Sequence, residues 1–249
     1  MYEYVEKVVA AHDMQELWDF HASAMEDFGF ERILYGFTFH RTANSLGDPQ
    51  DMLILTNHDP KYIGPFLQDG LYFHAPMVRW ALENVGSCSW SWMEEQANAG
   101  LLTDSERKVY EFNRQNGVDA GYTISFHNLS TRSKGAIALT AKNGMSQDDI
   151  DAVWAKHGRE IVAMNNVCHL KLINLPHAGA RRKLTPRQRE ALEWVGDGKT
   201  TQDIATIMGL TPATIEKHLR LAREALDVDT TAQAVLKASF QNQIYVLEA

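Results

Sequence analysis

A chain of 249 residues is long for one domain and comfortable for two, each able to bury its own core. Its 45% hydrophobic and 22% charged residues exclude extended disorder, and no stretch approaches the roughly 18 uncharged apolar residues of a membrane span. The formal charge of −8 speaks against a nucleic-acid partner for the whole chain, but residues 181–249 carry ten Lys/Arg against nine Asp/Glu, leaving 14 against 23 in front of them, so any DNA contact is expected in the tail.

The start, MYEYVEKVVAAHDM, has acids where a signal peptide has lysines, which predicts a cytoplasmic protein. Asp13 with Glu16 reads as a capping box opening a helix of Leu17, Phe20 and Met25. Residues 32–40, 52–57, 120–127 and 135–141 are predicted strands, being rich in aromatic and branched side chains, with helical segments at 60–69, 76–83 and 103–115 between them. This is a mixed α/β domain around one sheet. Cys88 and Cys168 have no metal-binding spacing, so neither a metal nor a cofactor is expected. Ser146, three residues before Asp149, opens a long helix whose stripe Ile150, Trp154, His157, Ile161, Met164, Cys168 and Leu172 is either core or a dimer seam. The run LPHAGA then breaks the pattern. The expected division is a domain at 1–174, a linker at 175–183 and a second domain at 184–249.

Four short helices follow from their caps. Thr185 with Pro186 and Gln188 opens the first, which ends at Gly196 and Gly198; Thr200 with Asp203 opens the second, which Gly209 stops. Thr211-Pro212 opens the third, carrying Ile215, Leu219, Ala222 and Leu226, and Thr230 with Gln233 opens the fourth. The Gly-Leu turn between the second and third forces a steep crossing and leaves one face of the third free, as in a helix-turn-helix that enters the DNA major groove. That face offers Thr211, Thr214, Lys217, His218 and Arg220 to phosphates or bases, with Arg220 able to fork onto guanine. Glu216 either accepts from cytosine or is solvated, and Lys199 and Thr200 suit a phosphate. GDGKTT is not a P-loop, because Glu193 stands where that motif needs glycine.

The run LTPRQREALEWVGDGKTTQDIATIMGLTPATIEKHLRLAREALDV resembles the LuxR-type DNA-binding domain through Leu184, Thr185, Arg187, Glu190, Leu192, Gly198-Lys199-Thr200, Ile204-Ala205, Thr214, His218, Leu226 and Val228. It departs from the family at Glu216, Leu221 and Ala225, where Lys or Arg, Asn and Lys are usual. The first 175 residues resemble the autoinducer-binding domain of the quorum-sensing LuxR regulators, which implies an α-β-α sandwich (α+β, antiparallel sheet) holding an acyl-homoserine lactone. The family's aromatic triplet, Asp-Pro and tryptophan correspond to His58, Tyr62 and Phe66, then Ala75-Pro76, then Trp90, with Gly121 and Gly135 at family glycines.

The frame is preserved and its chemistry altered. In the family the Asp accepts from the ligand amide; Ala75 cannot, Tyr62 and His58 replace the triplet's Trp and Tyr, and a strand Ser or Thr is lost to Ala138. Losing a buried acceptor costs about 1–3 kcal/mol, so the resemblance, with Ala75 in place of the Asp, implies a small apolar signal, either an acyl-homoserine lactone or, favoured by Ala75, a non-standard ligand, held by His58, Tyr62, Phe66, Ala75, Met77, Trp90, Gly121 and Ala138, with Trp92, Tyr72 and Phe73 in the wall and His74 on the surface. The expected protein is a homodimeric regulator of double-stranded promoter DNA, without a membrane partner. The alternative is a ligand-independent regulator, its pocket filled by Tyr62, Met77 and Trp90, or an anti-activator acting through mixed dimers. No serine elbow, carboxylate pair or metal spacing supports an enzyme.

Overall fold

The computed structural model describes residues 1–42, 45–128, 130–177 and 183–245. It divides into two compact units, Met1–Gly47 with Leu53–Ile173, and Asp48–Met52 with Asn174–Ala249. Residues 178–182 of the expected linker lie outside the described residues. Among those described, no helix is long and apolar enough to cross a membrane.

The first unit is built on one antiparallel sheet, with strands β1 (Phe30–Thr38), β2 (Leu53–Thr56), β3 (Gly86–Ser89), β4 (Gly121–Ser125) and β5 (Lys134–Ala141) in the order β2-β1-β5-β4-β3. Helices α1 (Tyr2–Ala10), α2 (Met14–Glu26) and α7 (Gln147–Leu172) belong to one side of it. On the other lie α3 (Pro60–Gln68), a 3-10 turn at Leu71–His74, α4 (Pro76–Glu83), α5 (Ser91–Asn98) and α6 (Asp104–Gln115). An α+β sandwich results, as the resemblance implies.

Strand alternation decides which side chains face which layer. A register shift between Phe30 and Arg32 puts Phe30, Ile33, Tyr35 and Phe37 together on the buried α7 side, and leaves Arg32, Leu34 and Gly36 facing the other. On β5, Ile137 and Leu139 are buried toward α7, while Ala136, Ala138 and Thr140 alternate with them. Pairing aligns Leu34, Ala138 and Thr123 in one row across the sheet, and Arg32, Thr140 and Gly121 in another.

The α7 side holds three polar knots in an apolar core. The Tyr4 hydroxyl lies 2.7 Å from His21 Nδ1, and His21 Nε2 lies 3.1 Å from Asn165 Oδ1. The Tyr35 hydroxyl lies 2.8 Å from Nδ1 of His169, whose ring stacks on Phe126 at 4.1 Å. Burial pushes both imidazoles down to about 4. At the start of α7, Asp151 Oδ1 accepts from Ser89, Tyr122 and Gln147, and Tyr122 stacks on Trp154 at 3.8 Å.

One expectation needs correction here. His157 is exposed and edges Phe28, so the buried stripe of α7 passes through Gly158 instead. The helix α1, strand β3 and helix α5 were not legible from pattern. Helix α1 has no side-chain cap bond, and β3 is the run Gly-Ser-Cys-Ser, which lacks branched or aromatic residues and is ordered by its pairing with β4.

The second unit contains α8 (Pro186–Gly196), α9 (Thr201–Met208), α10 (Pro212–Leu226) and α11 (Thr231–Phe240) around Leu192, Ile204, Ile215, Leu219, Ala222 and Leu226. The capping boxes at Thr185, Thr200 and Thr230 are each closed by their third-position partner. Gly209 ends α9 at φ 65°, and Thr211 accepts from Thr214 N to start α10. This is a helix-turn-helix.

Candidate functional site

The non-α7 face of the sheet and the helices above it enclose an aromatic cluster. Tyr62, Phe66, Tyr72, Ala75, Met77, Trp90, Met93, Val109 and Val118 are buried together, with Leu34, Trp92, Phe112 and Ala138 packed partly against them. Asp59 caps α3 and so sets Tyr62 and Phe66 one turn apart on its inner face. Tyr62 stacks on Phe66 at 5.4 Å and on Phe112 at 5.5 Å, and the His58 ring lies 4.8 Å from it, tilted by 32°. Ala75 begins α4 without a side-chain cap.

Trp90 is held at two points, and the glycine that holds one of them is itself anchored. Its Nε1 donates to Thr123 Oγ1 at 2.9 Å, its backbone N donates to Gly121 O at 3.0 Å, and Gly121 N donates to Gln147 Oε1 at 2.9 Å. A Cβ on Gly121 would stand 2.1 Å from Leu139 O and 3.1 Å from Trp90 Cζ3, so only glycine lets strand and indole approach this closely.

The floor is open where the walls are full. Leu34, Gly36 and Ala138 are only half-buried although β1 and β5 are inner strands, and a Cβ built on Gly36 meets nothing within 4 Å. At one end the groups turn polar. The Tyr62 hydroxyl donates to Asn113 Oδ1 at 3.1 Å, and Arg32 donates to the carbonyls of Asn116 and Gly117 at the end of α6. Thr140 Oγ1 stands 3.5 Å from His58 Nε2. His58 is 7% exposed, and its Nδ1 has no hydrogen bond. Burial first, and the Arg32 charge second, push its imidazole down to about 4, so it is neutral near pH 7. Burial likewise raises the Tyr62 phenol. Burial works to raise the Glu106 carboxyl, but bonds from Thr103 and Arg79 outweigh it and hold it below its ordinary range.

His58, Tyr62, Phe66, Ala75, Met77, Trp90 and Ala138 therefore come together in one layer, with Gly121 beneath Trp90. Phe73 does not belong to the wall: it is 52% exposed and stacks outside Tyr72. His74 is exposed, as expected. Sequence reasoning missed Asn113, Thr123 and Thr140; a buried Asn on an amphipathic helix was the one readable signal.

In the second unit, α10 buries Ile215, Leu219, Ala222 and Leu226 and turns Glu216, Lys217 and Arg220 outward, with His218 and Thr214 half-buried beside them. Several candidate contacts already have partners. Glu216 Oε1 accepts from Thr201 Oγ1 at 2.9 Å, Arg220 pairs with Glu224, and the Thr211 and Thr214 hydroxyls lie 2.9 Å apart. The Thr200 hydroxyl is engaged with Asp203 in the α9 cap, while Lys199 is exposed. Glu216 is thus neither free nor merely solvated: it ties α10 to the first turn of α9.

The chain matches the family model "Autoinducer binding domain" over residues 13–172, and the model "Sigma-70, region 4" over residues 180–226. It is 24% identical to the transcriptional activator protein VanR of Vibrio anguillarum over 84% of this chain and 83% of that protein. It is also 24% identical to the transcriptional activator protein LuxR of Aliivibrio fischeri, over 76% and 73%. A solved structure of SdiA in complex with octanoyl-rac-glycerol superposes with a TM-score of 0.52 at 14% identity, covering 98% of this chain and 95% of that one.

Proposed function

Because this chain belongs to the LuxR family of quorum-sensing transcriptional regulators, with an autoinducer-binding domain and a helix-turn-helix, we propose that residues 1–174 sense a small, largely apolar molecule. Residues 184–249 then read promoter DNA as a homodimer, through the linker at 175–183. The observation that carries the sensing half is the open floor: half-buried Leu34 and Ala138 on inner strands, with free space over Gly36, under a wall of buried rings. A ligand filling that space binds the folded state alone and stabilises it in proportion to its concentration over Kd. His58, Tyr62, Phe66, Ala75, Met77, Trp90, Gly121 and Ala138 form or support its site.

DNA contacts come from Lys199, Thr211, Thr214, Lys217, His218 and Arg220, with Thr200 and Glu216 holding the helix ends that present them. Arg220 exchanges its exposed pairing with Glu224 for a base or phosphate at little cost, since exposed pairs contribute roughly 0–1 kcal/mol. Glu216→Lys, which removes a charge repelled by phosphate, is expected to tighten DNA binding several-fold and to steepen its salt dependence by about one phosphate contact. Titration of promoter DNA at several salt concentrations measures this, and an unchanged slope places Glu216 away from the backbone.

A second reading is favoured by the internal pairing of Tyr62 with Asn113 and of Trp90 with Thr123, which leaves neither donor for a ligand. On it the protein regulates without a signal, or blocks a relative by forming mixed dimers. Mass spectrometry of small molecules released from natively purified protein separates the two. A retained molecule whose removal lowers both Tm and promoter binding supports sensing, and identical behaviour with and without extract supports the second.

A further inference from the structure

We infer, on the sensing function proposed above, that the end of this pocket beyond Gly36 is a cationic seat made by Lys134 and Arg41, and that the sensed molecule places a carboxylate there at the end of its apolar body.

Strand pairing carries the open floor toward that end. Beyond the row of Leu34 and Ala138 stands Gly36 opposite Ala136, both half-buried, and beyond that Thr38 opposite Lys134. Alternation keeps Lys134 on the same face as Ala136 and Ala138, under the layer to which α4 belongs. From Leu34 to Thr38 is about 13 Å along the strand, room for a medium-length chain.

Lys134 is 6% exposed, and its Nζ donates to Asn84 O at 3.1 Å, just past the end of α4. Arg41 Nη2 donates to Leu82 O at 3.1 Å, and Arg41 N donates to Arg132 O at 2.8 Å, which fixes the turn beside β5. Two cations thus converge on one helix end. Among the described residues neither meets a carboxylate, and Glu83, on the last turn of α4, is exposed and pairs with neither. Residues 38–42 and 130–134 hold Arg41, Arg132 and Lys134 and no Asp or Glu, although acids outnumber bases in the chain as a whole. Burial first, and the Arg41 charge second, push the Lys134 ammonium below its ordinary range.

Capping α4 does not account for this charge. Asn84 O already accepts from the Ser125 hydroxyl at 2.7 Å, so a neutral group serves that carbonyl. A carbonyl dipole carries no full counter-charge, and a buried cation without one is costly. Lys134 has three N–H groups and Arg41 five, and each gives one to a carbonyl. A carboxylate accepts from both at once, in charge-assisted bonds. Its apolar body then lies back over Ala136 and Gly36, where a Cβ meets nothing within 4 Å.

Decanoate, decanol and sodium phosphate are compared on the full chain by calorimetric titration and by the shift in Tm. Decanoate is expected to bind about tenfold more tightly than decanol, which differs only at the charged end, as hydrogen bonds to a charged group contribute roughly that factor. Lys134→Met, which keeps the stem and removes the charge, is expected to bring the two affinities together, and Arg41→Gln to do so in part. The second variant and the wild-type ratio decide if the first fails to fold. Decanol binding as tightly as decanoate, or a ratio that survives both substitutions, overturns the inference, leaving the cations as caps of α4 and the sensing function intact. Phosphate stabilising the protein as much as decanoate also overturns it, since the anion then binds without the apolar floor. If neither organic probe binds, an acid released from natively purified protein upholds the inference, a neutral molecule overturns it alone, and the release of nothing removes both it and the sensing function.

Discussion

Between pH 6.5 and pH 4 the first unit is expected to lose most of its stability. His21, His58 and His169 are buried as neutral imidazoles and held down to about 4, whereas in the unfolded chain they titrate near 6.5. Above pH 6.5 neither state is protonated and their contribution is complete. As pH falls below 6.5, the unfolded chain takes up protons that the folded one refuses, so stability falls by about 1.4 kcal/mol per pH unit for each histidine until the folded value is reached. Three such groups together approach 10 kcal/mol, comparable with the whole ~5–15 kcal/mol of a folded domain. Urea unfolding from pH 7.5 down to pH 4.5 reads this directly. A midpoint that stays level from pH 7 to pH 5 means that these imidazoles reach water or a carboxylate in the folded state, contrary to the partners they have here. His169→Gln should then flatten the slope by about one third if Tyr35 keeps its hydrogen bond to the amide.

Trp90→Ala is expected to cost about 3–5 kcal/mol, because the ring is fully enclosed and the space it leaves is bounded by strands that cannot collapse inward. The Thr123 hydroxyl also loses its donor. Trp90→Phe keeps most of the ring and gives up the bond, which should cost roughly 1–2 kcal/mol. Gly121→Ala should resemble the larger loss, since the new methyl would meet the Leu139 carbonyl, and a backbone oxygen within a sheet cannot step aside. Chemical denaturation of the three variants ranks them. A Trp90→Ala loss below about 1 kcal/mol would mean that the indole is not the anchor of this layer.

Of the three histidines in the first prediction, His21 and His169 lie on the α7 face and His58 lies with Trp90 in the layer on the other. At two of the buried polar points of the α7 face a tyrosine hydroxyl meets an imidazole, so that face is sensitive to protons. The other face keeps free floor beside rigid rings, as a binding site requires. Thermal stabilisation by a ligand therefore reports on the second face, and it should be measured near pH 7, where all three imidazoles are neutral.

How much of this was legible depends on the range of the interaction. The helix ends of the second unit were readable because a cap is local: Thr185 finds Gln188, Thr200 finds Asp203 and Thr230 finds Gln233 within one turn, whatever the rest of the chain does. The pattern of buried residues on α10 was readable for the same reason, its period being that of the helix. The family frame of the pocket, from His58 through Trp90, was visible as spacing. What those residues do was not. Trp90 meets Thr123 across 33 positions, Tyr62 meets Asn113 across 51, and His58 meets Thr140 across 82. No local period encodes such pairings; the register of β4 and β5 and the placing of α6 over the sheet create them.

By itself the sequence determined two α-containing units, the caps of the helix-turn-helix and an aromatic set missing its carboxylate at Ala75. Tertiary structure alone decided that Glu216 is tied to Thr201, that Phe73 faces out, and that Tyr62 is paired with Asn113 and Trp90 with Thr123. The reason is physical: hydrogen-bond satisfaction belongs to neighbours in space, and a chain shows in advance only those that are also neighbours in sequence.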